Sequence, residues 1–146
     1  FHGDSGEMAA RYYEEVRQMA ARKPDILGHI DLITKFNEDG SFFDEAGPGY
    51  RAAALEALHA AGPKETLLEI NTGAMSRGYR SVPYPALFLL REWRDMGGRI
   101  ILTADAHSAA AGGYGYAQAA ALAQAAGFDR STLLTRRGRE ERPLDI

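Results

Sequence analysis

"RIILTADAH", residues 99–107, is the stretch on which the reading of this chain turns. An apolar run, Ile100-Ile101-Leu102, stops at Thr103, and Asp105 and His107 follow two residues apart. A short apolar run preceded by Gly97-Gly98 reads as a strand covered on both faces, the kind found in parallel sheets. Parallel α/β sheets gather their ligand sites at the carboxyl ends of the strands. A carboxylate and an imidazole just past such an end have two readings: ordinary loop polarity, or part of a metal site.

Outward from this strand the chain alternates helix and strand. Upstream, Pro85 suits the first turn of a helix reaching Met96, with Leu87, Leu90, Trp93 and Arg94 spaced for a mostly buried face. Residues 66–71 (TLLEIN) read as a second strand and residues 72–83 as a loop. A helix over about Tyr50–Ala61 carries Ala53, Ala54, Ala57 and Leu58 on one side, and Gly62-Pro63 stops it. Residues 37–49, rich in Gly, Asp and Asn, form a long loop, and residues 25–30 (DILGHI) a short strand. Asp4 or Ser5 caps a first helix running to about Arg22, with a stripe of Met8, Tyr12, Val16, Met19 and Ala20.

Downstream, Gly112, Gly113 and Gly115 turn the chain into an Ala-rich helix, Tyr116–Ala126, closed by Gly127, and Thr132–Thr135 forms a last strand. The order α-β-α-β-α-β-α-β predicts an α/β fold with parallel strands and right-handed crossovers. A repeat of roughly 30 to 40 residues suits a barrel or a doubly wound sheet, and periodicity does not separate the two.

Composition narrows the function classes. The 146 residues are 45% hydrophobic and 25% charged, which is the make-up of one soluble globular domain. Seventeen basic and 20 acidic side chains give a net charge of −3, and no basic cluster suggests nucleic acid. Residues 136–142 (RRGREER) mix signs and read as a solvated tail or hairpin. There is no cysteine, so any metal site must use His, Asp and Glu. No apolar stretch has the length of a membrane span and no signal peptide is visible, so the cytoplasm is the default compartment.

Three strands end alike: in His29 and Asp31, in Glu69 and Asn71, and in Asp105 and His107. Their convergence would bring imidazole and oxygen donors together, a set that suits Zn²⁺, Mn²⁺ or Fe. His29 can equally be a hydrogen-bonded core histidine. Glu69 ligates a metal or orients a ligand through a hydrogen bond, because a glutamate within an apolar strand needs a partner. His59, late in its helix, and His2, near the terminus, are poor candidates. Tyr12, Tyr13, Phe42, Phe43 and Trp93 read as core rather than as a stacking platform. Lys35, Arg77 and Arg80 lie in loops on the strand-end side, where cations bind phosphate, or else they are plain surface charge.

Residues 25–37 (DILGHIDLITKFN), 68–85 (LEINTGAMSRGYRSVPYP) and 97–109 (GGRIILTADAHSA), in this order and spacing, resemble the histidinol-phosphatases of the polymerase and histidinol phosphatase (PHP) family. The likeness extends to the helix at residues 10–20. It implies a distorted (β/α)7 TIM-like barrel with a cluster of divalent metals, up to three, at the strand ends. It further implies hydrolysis of a small-molecule phosphate ester, histidinol phosphate giving histidinol and phosphate. On the matching motifs His29, Asp105 and His107 fall on metal-ligand positions. Glu69 falls beside the ligands, and Arg77 and Lys35 fall where substrate phosphate is met.

The family's opening His-x-His motif is missing. The chain, which begins with Phe1 rather than Met, therefore resembles the C-terminal portion of a single PHP-type barrel. Such a portion would hold metal incompletely. Its unpaired sheet edge would join a missing segment or self-associate with another chain. The alternatives are a PHP phosphoesterase acting on nucleotides and a non-catalytic α/β binding module.

Overall fold

Ala9, Tyr13, Val16 and Ala20 recur at helical spacing and are all buried. They form the inner stripe of α1 (Ser5–Ala20) in the computed structural model, which describes residues 5–144. This stripe is turned by about a residue from the one the sequence predicts. Met19 is 55% exposed, and Tyr12 is half-buried at the boundary, where its hydroxyl donates to the Ile30 carbonyl at 3.0 Å. His2 and Asp4 lie outside the described residues.

The helix packs on α2 (Pro48–His59), whose buried side carries Tyr50, Ala54, Ala57 and Leu58. Small alanines on both surfaces allow a close approach, and the hydroxyl of Tyr13 meets that of Tyr50 at 3.1 Å. Replacing a fully buried residue such as Leu58 by Ala would cost about 2–5 kcal/mol.

The sheet is parallel, in the order β1-β2-β3: β1 (Ile26–Leu27), β2 (Leu67–Asn71) and β3 (Arg99–Thr103). Leu68 pairs with Leu27 on one side and Ile100 on the other, and Asn71 with Thr103. These three strands form an open sheet, not a closed barrel. β1 is shorter than predicted because the chain leaves it at Gly28, and the His29 amide is given to a side chain instead of a neighbouring strand.

The two faces of the sheet differ. Residues two apart in a strand share a face. Leu27, Leu68, Ile70 and Ile100 join the main apolar cluster with residues of α1, α2, α4 (Leu87–Asp95) and α5 (Tyr116–Ala126). Glu69, Asn71, Ile101 and Thr103 belong to the opposite face, outside that cluster. The helices thus gather on one side of the sheet.

Several predicted elements are corrected. The loop at 72–83 contains a short helix, α3 (Gly73–Ser76), because Asn71 Oδ1 takes the Gly73 amide and the Thr72 carbonyl takes those of Met75 and Ser76. α4 starts after Pro85, not at it, because Ala86 is extended and its N–H is taken by Asp31 Oδ2 at 2.8 Å. The last strand, β4 (Arg130–Thr135), is antiparallel to β5 (Gly138–Pro143) rather than part of the parallel sheet. Two residues, Arg136 and Arg137, join them, a link far too short for a parallel crossover. The mixed-charge run is therefore one side of a hairpin. Phe42 is 62% exposed, whereas Tyr13, Phe43 and Trp93 are buried as core. No helix among the described residues is long and apolar enough to cross a membrane.

Candidate functional site

The site is built on Glu69, in the middle of the central strand. Its Oε2 accepts the backbone N–H of His29 at 2.7 Å and the Asn71 amide at 3.1 Å. Its Oε1 accepts the Thr103 hydroxyl at 2.6 Å. Both oxygens are engaged, and one carboxylate ties the ends of all three parallel strands together. Asn71 extends the web by accepting the Gly73 amide at 2.8 Å. Gly28 makes room for it, since a Cβ there would stand 3.1 Å from Glu69 Oε2.

Past the end of β3, Arg77 reaches across from the loop after β2. Its Nη1 donates to the Asp105 carbonyl at 3.2 Å, and its Nη2 to Asp105 Oδ2 at 3.2 Å. Nη1 also meets His107 Nδ1 at 2.6 Å. A guanidinium can only donate, so Nδ1 accepts and the neutral ring carries its proton on Nε2. The approach is tight: a Cβ on Gly73 would lie 2.8 Å from Asp105 Oδ2 and 2.9 Å from Arg77 Nη2. Thr72 secures the loops behind this corner, its hydroxyl donating to the Tyr114 carbonyl at 2.5 Å.

Two of the candidate residues have strained backbones. His29 has φ +26° and Asp105 φ +46°, values that side-chain-bearing residues rarely adopt. Each stands just beyond the end of a parallel strand. Backbone strain of this kind, about 1–3 kcal/mol per residue, collects at functional sites where surrounding contacts hold it in place.

The other sequence candidates are placed elsewhere. Lys35 packs its ammonium over the rings of Phe36 and Tyr79, at 5.0 and 4.6 Å from the centroids. Arg80 is half-buried, pairing with Glu45 at 3.0 Å and donating to the Thr34 carbonyl at 2.6 Å, so it braces two loops. His59 is exposed on α2 and pairs with Glu92 of α4 at 2.5 Å. Asn37, in the loop over 37–49, is buried and orders residues 37–45. Its amide donates to the Phe43 carbonyl and Glu45 Oε1, and its oxygen accepts the Phe42 and Phe43 amides.

His, Asp and Glu donors are of the right chemistry for Zn²⁺, Mn²⁺ or Fe. Their arrangement is not that of a metal centre: the Arg77 guanidinium occupies the space between Asp105 and His107, and Glu69 spends both oxygens on protein donors. No three such groups close on a common point among the described residues. What the corner does offer is a guanidinium with N–H donors to spare beside an imidazole N–H, a setting for an oxyanion. No protein-family model matches this chain, and no curated protein matches it.

Proposed function

We propose that this chain is part of a phosphomonoester hydrolase of the PHP type, acting on histidinol phosphate to give histidinol and phosphate. The observation that carries the reading is Arg77 held between Asp105 and His107 at the carboxyl edge of a parallel sheet. Three hydrogen bonds aim the guanidinium, and the remaining N–H donors of its planar fork suit the oxygens of a phosphoryl group. The His107 Nε2 proton is available to a phosphoryl or ester oxygen. The strained backbones of His29 and Asp105 agree with a site at the same edge.

A portion of a distorted (β/α)7 barrel is the architecture that accompanies this reading. In such a barrel helices lie outside and the strands turn their other face inward. The one-sided helices and the polar face of Glu69, Asn71 and Thr103 support it. The divalent metals belong to the proposal through the resemblance alone. His29, Asp105 and His107 would serve as ligands only with further donors from outside this sequence, and once Arg77 had swung from Asp105 to substrate.

The test is phosphate release from histidinol phosphate, with a nucleoside monophosphate as comparator, alongside metal quantification. The chain alone should hold little metal and turn over slowly. Supplying a segment with the His-x-His motif should raise both. A tight, stoichiometric metal cluster in the chain alone would overturn its incompleteness. No release of phosphate with that segment present would overturn the phosphatase reading.

A further inference from the structure

Arg51 of α2 and Arg91 of α4 line one pocket of about 400 Å³ at the N-terminal ends of the two helices. Eight other arginines of the chain pair with carboxylates. Arg51 and Arg91 pair with none among the described residues. The acidic residue of the wall, Glu45, is already held by Arg80 at 3.0 and 3.3 Å, so the pocket keeps two uncompensated positive charges. A lone exposed arginine is ordinary, since charged side chains are mostly exposed. These two stand together, and one of them is fixed in place. The Arg51 guanidinium lies over the Phe88 ring, 4.9 Å from its centroid. Arg91 follows Phe88 by three residues and leaves α4 on the same face. Two like charges therefore flank one aromatic ring, and they repel each other until an anion enters.

The wall specifies the occupant. Tyr50, Leu87 and Phe88 suit an apolar body, and the volume falls in the range of small-molecule sites, roughly 300–1,000 Å³. The N-terminal ends of both helices add positive potential there. Each guanidinium offers a planar fork that fits a carboxylate. We infer that this pocket binds a small organic dicarboxylate, its two charges meeting Arg51 and Arg91 and its hydrocarbon body lying against Tyr50 and Phe88. A single negative charge would leave one guanidinium unmatched, and a neutral body would leave both. This assignment does not rest on the phosphatase reading. The helices α2 and α4 pack on the face of the sheet opposite Glu69, and Arg77 has no part in the pocket.

The experiment is a titration of the ¹⁵N-labelled chain at low salt, followed at the Nε–H resonances of Arg51 and Arg91. Isophthalate supplies two carboxylates on an aromatic body. Benzoate removes one charge, isophthalamide removes both, and inorganic phosphate removes the body. Isophthalate should move both resonances saturably. Each comparator should bind at least about tenfold more weakly, as expected for the loss of a charged hydrogen bond or of an apolar body. Arg51→Gln and Arg91→Gln, which keep N–H donors and lose the charge, should each weaken isophthalate about tenfold. Both side chains are exposed, so the variants should fold. Arg77→Ala should leave isophthalate binding in place, which reads this pocket apart from the strand-end site. No saturable shift with isophthalate would overturn the proposal. A comparator that binds equally well, unchanged binding in either glutamine variant, or loss of binding in Arg77→Ala would overturn it as well.

Discussion

Glu69 Oε2 holds the main chain of His29 at 2.7 Å, across the strand pair and forty residues away in sequence. The bond is made to the amide of a residue whose φ is positive, so the carboxylate helps to hold the strain at His29. Glu69→Gln retains one acceptor oxygen and turns an amide toward one of the donors. Leaving a donor unmet costs about 1–3 kcal/mol. The expected result is a loss of that order in urea denaturation, with faster hydrogen exchange at the His29 amide. Unchanged exchange at His29 would show that the bond does not secure it.

Gly73 is the tightest point of the site. An added methyl would fall within 3.0 Å of both Asp105 and Arg77. Gly73→Ala should push these side chains apart and cost about 1–3 kcal/mol, as overpacking does. Chemical shifts of the Arg77 and His107 side chains should move with it. A variant as stable as the parent, with those shifts in place, would contradict the geometry.

Arg77 is exchangeable with lysine in charge but not in shape. Its two nitrogens bond to Asp105 while one of them also meets His107. A lysine has one nitrogen and no planar fork. Arg77→Lys should therefore weaken inorganic phosphate binding about as much as Arg77→Ala, read by ³¹P line broadening. The pair with Asp105 is partly exposed, so either change should alter the melting temperature little, a loss of roughly 1 kcal/mol or less. Full retention of phosphate by the lysine variant would show that charge alone suffices.

Asp31 gives the stability a pH dependence. Burial pushes its carboxyl up to about 6 from an ordinary 3.8, opposed by the Ala86 amide and by Arg80. The folded chain therefore keeps a proton that the unfolded chain has lost. The contribution of Asp31 to stability is fully present below about pH 4, falls as pH rises to about 6, and is level above. The full change is on the order of 3 kcal/mol. Asp31→Asn should flatten the curve in that window, measured by urea titrations at successive pH values. An unchanged slope would place the titration elsewhere.

Local pattern carried much of this molecule into view. The run Ile100–Leu102 after two glycines is the strand it reads as, and Gly127 at φ +96° ends the Ala-rich helix. The strand ends themselves, in His29, Glu69 and Asp105, were visible as polar residues closing apolar runs. What lay beyond reach depends on partners distant in sequence. Nothing near Asn37 announces that it orders the loop to Glu45, and nothing near Asp31 announces Arg80 or Tyr84. The rotation of α1 about its axis is not legible in the sequence because Tyr12 and Tyr13 are the same residue type, and only the position of α2 chooses between them. The antiparallel pairing of the last strand is hidden for a similar reason: a two-residue link and Gly138 at φ +111° decide its partner, and both lie within a mixed-charge stretch with no apolar pattern.

The division of the sheet into two unlike faces separates the ways in which this protein can be damaged. Leu68, Ile70 and Ile100 touch the helices, so changes there should be felt as melting and aggregation whatever the chemistry requires. Glu69 and Asn71 alternate with Leu68 and Ile70 in β2, one residue away, and with Thr103 of β3 they belong to the network at the strand ends. Variation along β2 should therefore switch between loss of fold and loss of site at every second position. A scan of single substitutions through residues 68–71 should show a two-residue rhythm in which abundance and ligand binding fail in alternation, with Leu67, fully buried, failing in abundance.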